Sequence, residues 1–307
     1  MISWDMASDS RLRICDLGED VAIERFVSGL SSQPGVIEGP GDDCAVVQGE
    51  GDQCILLKTD CVIEGVHFLE GTDPRRVGRK AMNRVFSDMA AMGGRPRYAL
   101  ITIAVDAERR MEEIEGWYVG LEEASSKFGC AVVGGETSWL RNQGALISVA
   151  ISGQVECDRL VTRSGARAGD VIAVTGLLGG SFESEKHLDF EPRIFEAEWL
   201  TRVCKPTAMM DLSDGLGSDL PRMAKASKCG FRVESSSLPR PDGVSFERAL
   251  ADGEDYELLI AVAPDSWSSL ETAWVAEFPD LPLTRIGQMT EKSEQALTPG
   301  WDPFGKQ

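Results

Sequence analysis

"LLKTDCVIEGVHF", Leu56 to Phe68, begins as a half-buried β-strand and then carries Lys58, Asp60, Glu64 and His67. An ammonium, two carboxylates and one of the chain's two histidines, placed near a core, need partners from elsewhere in the sequence. Hydrophobic periodicity predicts helices over Asp20–Ser32, Pro74–Met92 and Arg110–Phe128. Strands are expected at Cys44–Val47, Cys54–Asp60, Arg97–Val105, Cys130–Val133 and Leu146–Gly153. The small, polar and basic run "TRSGARAGD" (Thr162–Asp170) then breaks the pattern, and a domain boundary is placed just before it, near Asp158. Beyond it the pattern gives strands at Val171–Thr175, Ala208–Leu212, Gly230–Val233 and Tyr256–Val262. Helices follow at Ile194–Cys204, Gly215–Ser227 and Trp267–Phe278. Alternating strands and helices in both halves make the class α/β (α+β).

The 307-residue length suits two domains, and the formal net charge of -19 disfavours nucleic acid and anionic lipid as partners. A chain this acidic binds phosphates only with help from a local basic patch, a nest of amides or a divalent metal. The start, "MISWDMASDSRLR", lacks a secretory pattern, and no apolar run reaches the ~20 residues of a membrane span. Eight scattered cysteines, with no C-x-x-C pair, read as reduced cytosolic thiols. The phosphate-loop, dinucleotide, zinc-protease and serine-hydrolase motifs are absent from the sequence. With only His67 and His187, histidine-based triads and multi-histidine metal sites are disfavoured.

Carboxylates remain. Asp42 and Asp43 follow a Gly-Pro-Gly turn, Asp60 closes a strand beside Thr59, and Asp88 lies in the small-residue, methionine-rich "FSDMAAMGG". Glu136 follows a strand and two glycines, while Asp211, Ser213 and Asp214 mark a strand-to-helix junction. Several have an ordinary structural reading: turn residues for Asp42 and Asp43, an ion pair with Arg84 for Asp88, a helix cap for Ser213 or Asp214. Together they suit hard, oxygen-ligated cations such as magnesium, which bridge an acidic protein to substrate phosphates.

In order along nearly the whole chain, "GDDCAVV", "TDCVIEGVHF", "SDMAAMGGRP", "VVGGETS", "TRSGARAGDVIAVTG", "MDLSDGL", "GEDYEL" and "GWDPF" resemble the motifs of thiamine-monophosphate kinases, within the superfamily of aminoimidazole ribonucleotide synthetase. The resemblance implies an N-terminal domain (1–157) that binds ATP and magnesium and pairs its sheet with a second subunit. A C-terminal domain (158–307) would complete the nucleotide and substrate site. By position, it implies magnesium ligation by Asp43, Thr59, Asp60, Asp88, Glu136, Asp211 and Asp214, with Asp43, Asp88 and Asp214 central to catalysis. Gly135, Glu136, Arg163 and Ser213 would meet ATP, and His67, Glu254 and Trp301 would hold thiamine monophosphate. The implied protein is a cytoplasmic homodimer that phosphorylates thiamine monophosphate with ATP. The same fold also admits a ligase or dehydratase on another acceptor, or a silent nucleotide-binding dimer. This sequence departs from the family pattern at Lys58 (usually Ser or Thr), Val85 (commonly Asn), Glu136 (usually Asp) and Pro303 (commonly His). Lys58 has two readings: an ammonium standing in for a metal ion's charge, or a solvent-facing strand residue.

Overall fold

The computed structural model describes residues 12–31, 33–142, 144–292 and 296–304. Two sheets organise it. The first holds β1 (Val36–Glu38), β2 (Ala45–Gln48), β3 (Gln53–Ile63), β4 (Arg95–Val105), β5 (Ala131–Trp139) and β6 (Ala145–Glu156), in the order β1-β2-β3-β6-β4-β5. All its pairings are antiparallel except β4 with β5, which is parallel because α3 (Met111–Phe128) makes the crossover between them. The second sheet holds β7 (Val171–Thr175), β8 (Ala208–Asp211), β9 (Gly230–Val233), β10 (Leu258–Val262) and β11 (Leu283–Thr290), ordered β8-β10-β7-β11-β9. Its central strands β7 and β10 are buried at every position, so both faces are covered.

Between the sheets lies α2 (Pro74–Ala91), capped by Asp73, whose carboxylate accepts the Arg75 backbone N–H at 2.8 Å. Pro74 occupies the first helical turn, where its missing N–H costs nothing. From Val77 onward nearly every side chain of α2 is buried, Lys80 and Asp88 included. One hydrophobic cluster runs from the first sheet through Met82, Val85, Phe86 and Met89 of α2 to Ala197 and Leu200 of α5 (Ile194–Val203) and Ile260 of β10. A second cluster fills the other side of the second sheet, under α6 (Leu216–Ser227) and α7 (Phe246–Ala251). The remaining helices are α1 (Glu19–Val27), α4 (Lys186–Asp189) and α8 (Pro264–Glu277). Among the described residues no helix is long and apolar enough to cross a membrane.

The expected elements form, with informative differences. The first helix ends at Val27, and the expected terminus at Ser32 lies outside the described residues. β5 runs past the expected end at Val133, through Gly134 and Gly135 to Trp139, because a bulge opposite Ala99 and Leu100 accommodates the pair. β11 has no periodic signature in the sequence because a bulge between Arg285 and Gly287 breaks its alternation, and a Cβ on Gly287 would lie 2.1 Å from the Arg232 carbonyl oxygen. The cysteines are not all reduced thiols. Cys54 and Cys157 form a disulfide, with Cα atoms 5.3 Å apart, while Cys15, Cys44, Cys61, Cys130, Cys204 and Cys229 are free. The reason is register: Gln53 of β3 pairs with Glu156 of β6, which brings the two cysteines together from distant points in sequence.

The crossing of α2 and α3 depends on absent side chains. A Cβ on Gly78 would lie 2.0 Å from the Trp117 carbonyl oxygen, and one on Gly120 would lie 1.9 Å from that of Arg75. Gly120→Ala must therefore force the helices apart and is expected to destabilise the fold by about 1–3 kcal/mol in urea unfolding. An unchanged midpoint would show that the crossing tolerates separation.

Candidate active site

Strand alternation on β3 separates the charged residues of the opening stretch by face. Lys58 and Asp60 share the inward side with the buried Leu56 and Val62 and reach α2; Thr59 points to the opposite, open face, where its hydroxyl lies 3.5 Å from Ser148 Oγ. Lys58 is thus no solvent-facing lysine: its Nζ donates to Asp88 Oδ1 at 2.7 Å. Asp60 Oδ2 accepts from Arg84 Nε at 2.9 Å, so Arg84 is the partner of Asp60, not of Asp88.

Asp88 meets two further carboxylates from other parts of the chain. Asp43 follows the Gly-Pro-Gly turn and Asp211 ends β8; oxygens of Asp43, Asp88 and Asp211 lie within 4.8 Å of one another, all three residues buried. Each has one compensating neighbour. Arg163, from the loop between β6 and β7, binds Asp43 through Nε at 3.1 Å, and its backbone N–H donates to Asp42 at 3.0 Å. Ser87 Oγ donates to Asp211 Oδ2 at 2.6 Å, and Lys58 serves Asp88. One buried oxygen, Asp43 Oδ2, has no hydrogen-bond partner among the described residues. Burial, reinforced by Asp43, pushes Asp211 up to about 6 and Asp42 up to about 7. Burial likewise drives Asp88 upward against the pull of Lys58. Three buried carboxylates this close, one oxygen of them unpartnered, make a fitting divalent-ion site.

One turn along α2, Arg84 enters a cavity of about 300 Å³. The N-terminal half supplies its wall with His67 and Arg84, and the C-terminal half with Phe182, Asp214, Glu254 and Trp301. Glu254 is the electrostatic hub. Lys80 Nζ donates to it at 2.7 Å and Tyr256 OH at 3.2 Å, while Arg84 Nη1 lies at 3.5 Å and His187 Nδ1 at 3.4 Å. Burial alone would raise the Glu254 carboxylate, but His187, Lys80 and Arg84 outweigh it and hold the group down at about 2. The loop that presents it is strained, with Glu254 and Tyr256 at φ of 53° and 50°, and is pinned by Glu254 N–H to the Ser213 carbonyl at 2.7 Å. His67 Nδ1 accepts the Ile63 backbone N–H at 3.0 Å, which leaves the proton on Nε2. Burial, then Arg84, lowers His67 to about 4, so it is a neutral N–H donor near pH 7. Trp301 crosses to His67 edge-on, with centroids 6.3 Å apart, and its backbone N–H is tied to the Asp214 carbonyl at 2.9 Å.

Asp214 does not cap α6. Asp219 does that work, accepting the Asp214 and Gly215 N–H groups at 3.1 Å each, and the Asp214 carboxylate pairs with Arg222. The structure therefore brings Asp43, Asp60, Asp88, Asp211, Asp214, Arg163, Ser213, His67, Glu254 and Trp301 to one cleft between the two sheets. It does not bring Thr59, Gly135 or Glu136 there. Cys61, Ser148, Thr102 and Glu136 are successive partners across β3, β6, β4 and β5, which puts Glu136 about 14 Å from β3 at the usual strand spacing. Residues overlooked in the sequence are Lys80, His187, Tyr256 and Arg222. Only Lys80 carried a signal, its spacing of four from Arg84 and eight from Asp88 on one helix face.

The charge on Glu254 sets an acid limit. Its folded pKa of about 2 lies below the ordinary 4.5, so its stabilising contribution is complete above pH 4.5 and is lost as pH falls toward 2. Glu254→Gln is expected to flatten the stability–pH curve across that window, removing on the order of 2–3 kcal/mol of pH-dependent stability. Parallel curves for the two proteins, from urea melts at each pH, would refute the assignment.

Residues 41–155 match the AIR synthase related protein, N-terminal domain, and residues 196–299 match its C-terminal domain. A thiamine-monophosphate kinase of Rhodopirellula baltica is 38% identical over 90% of this chain and 87% of its own length. One from Aquifex aeolicus is 34% identical over 91% of this chain and 94% of its own. The solved structure of AaThiL complexed with AMPPCP and TMP superposes with a TM-score of 0.81 at 31% identity, covering 94% of this chain and 95% of that one. With its two sheets, its aspartate cluster and its cleft, the chain belongs to the thiamine-monophosphate kinase family of AIR synthase related proteins.

Proposed function

We propose that this protein transfers the γ-phosphoryl group of ATP to the phosphate of thiamine monophosphate, giving thiamine diphosphate and ADP. The observation that carries the reading is the buried Asp43, Asp88 and Asp211 trio, with its unpartnered Asp43 oxygen, beside a cavity walled by His67, Glu254 and Trp301. The P–O bond to ADP breaks as a bond forms to an acceptor oxygen that is already ionised near neutral pH, so no strong general base is needed. A neutral His67 and a deeply ionised Glu254, neither poised to take a proton at pH 7, agree with that.

The residues fit magnesium, and Asp43, Asp88 and Asp211, with Asp60 and Asp214 at the cleft, would hold it; bound there, it supplies neutralisation of phosphate charge. The protein's own groups position the reactants. Arg163 presents a planar guanidinium to the nucleotide phosphates, and Ser213 lines the cavity shared with His67 and Glu254. His67 Nε2–H donates to the substrate phosphate. Trp301 offers its ring face, and the fixed negative charge of Glu254 favours the cationic thiazolium. In this reading residues 1–157 and 158–307 act as two domains that close on the substrates, in the cytoplasm. A homodimer formed through the open face of the first sheet completes the site. The exposed Leu57, Tyr98 and Leu100, which lie on that face, support this, and the arrangement sets Thr59, Gly135 and Glu136 at the boundary between copies.

Purified protein given ATP, magnesium and thiamine monophosphate should form thiamine diphosphate, followed by chromatography; ATP consumption without that product overturns the reading. Asp43→Asn should lower kcat by about a hundredfold or more while the thermal transition persists. Trp301→Ala should raise KM for thiamine monophosphate about tenfold and leave that for ATP within about twofold, because only ring stacking is lost. Equal effects on both substrates would mark Trp301 as structural.

A further inference from the structure

Lys58 reaches the aspartate cluster from β3. It shares the inward face of β3 with Leu56, Asp60 and Val62, and its Nζ meets Asp88 Oδ1 at 2.7 Å. Asp88 is buried and shares a 4.8 Å neighbourhood with Asp43 and Asp211. Arg163 pairs with Asp43 from the opposite side of the cluster, and Arg84 is committed to Asp60 outside it, so Lys58 is the partner of Asp88. A protonated lysine has three donors and no acceptor, so it cancels a carboxylate's charge while offering a metal ion no ligand and repelling one that approaches. A threonine at this place would do the reverse.

We propose that the Lys58 ammonium is a built-in cation of this site, filling the charge position of one divalent ion, so that the chain binds one divalent ion fewer than its carboxylates could otherwise hold. The inference rests on reading the cluster as a cation site. Its functional meaning is a reduced dependence on free magnesium: part of the positive charge that faces the phosphates is covalently attached and does not dissociate.

The test counts ions directly, with Mn2+ alone as probe, by calorimetry and by the electron paramagnetic resonance of unbound Mn2+. The proteins are the full chain and its Lys58→Thr, Lys58→Arg and Asp43→Asn variants. Lys58→Thr should bind one Mn2+ more per chain than the parent, and Lys58→Arg, which keeps the charge, should match the parent. In chelator the Tm of Lys58→Thr should fall by about 5 °C or more, since a buried carboxylate has lost its partner, and Mn2+ should restore it. Equal ion counts and superimposable melts for parent and Lys58→Thr overturn the proposal, as does a Lys58→Thr protein that stays unfolded whatever the Mn2+ concentration. If Asp43→Asn loses an ion but Lys58→Thr gains none, the cation site stands and the proposal alone fails. If no variant binds Mn2+, the cation-site reading itself falls.

Discussion

A helix buried along nearly its whole length cannot carry charges unless other elements come to meet them, and α2 carries Lys80, Arg84 and Asp88 in one stripe. That constraint organises the molecule. Lys80 requires Glu254, Arg84 requires Asp60 and Glu254, and Asp88 requires Lys58. These partners come from β3 on one side and from the second half of the chain on the other. The apolar residues of the same helix weld the two sheets into one continuous core, so packing and charge pairing demand the same arrangement. Removing one member of such a buried pair strands its partner, which costs more than the pair contributes.

The chain's large negative charge and its affinity for phosphates are reconciled locally. Arg163 and Lys58 are held by aspartates inside the cleft, and Arg84 and Lys80 stand one turn apart above them. Each is pre-oriented by a carboxylate that fixes its side chain before any ligand arrives, which lowers the entropy lost on binding. Acidity is therefore part of how the positive groups are aimed. The same carboxylates, crowded and buried, remain costly as bare anions.

Much of this was legible in the sequence, because glycine-flanked carboxylates, strand alternation and the ordered motifs all reflect local chemistry. The central strands of both sheets and most helices follow from periodicity alone. What escaped was non-local. Nothing about Glu254 in sequence reveals that Lys80, 174 positions away, will neutralise it. Arg84 at i−4 from Asp88 looked like its natural partner, yet helix geometry left Arg84 free to turn to Asp60, and Lys58 took its place. Bulges hid β11 and the far half of β5, since one extra residue inverts the alternation on which strand recognition rests.

The Cys54–Cys157 bond has a topological consequence. It joins positions 103 residues apart and encloses α2, α3, β4, β5, β6 and all of β3 but Gln53 in a covalent ring. Everything that follows, including Asp211, Asp214, Glu254 and Trp301, hangs from that ring as an open branch. A cut anywhere inside the ring leaves a single molecule, while a cut in the branch releases a fragment. The two sides of the cleft thus differ in kind: the side bearing Lys58 and Asp88 keeps its connectivity when the backbone is nicked, and the side bearing Trp301, once cut free, is held by non-covalent contacts such as the Lys80–Glu254 ion pair.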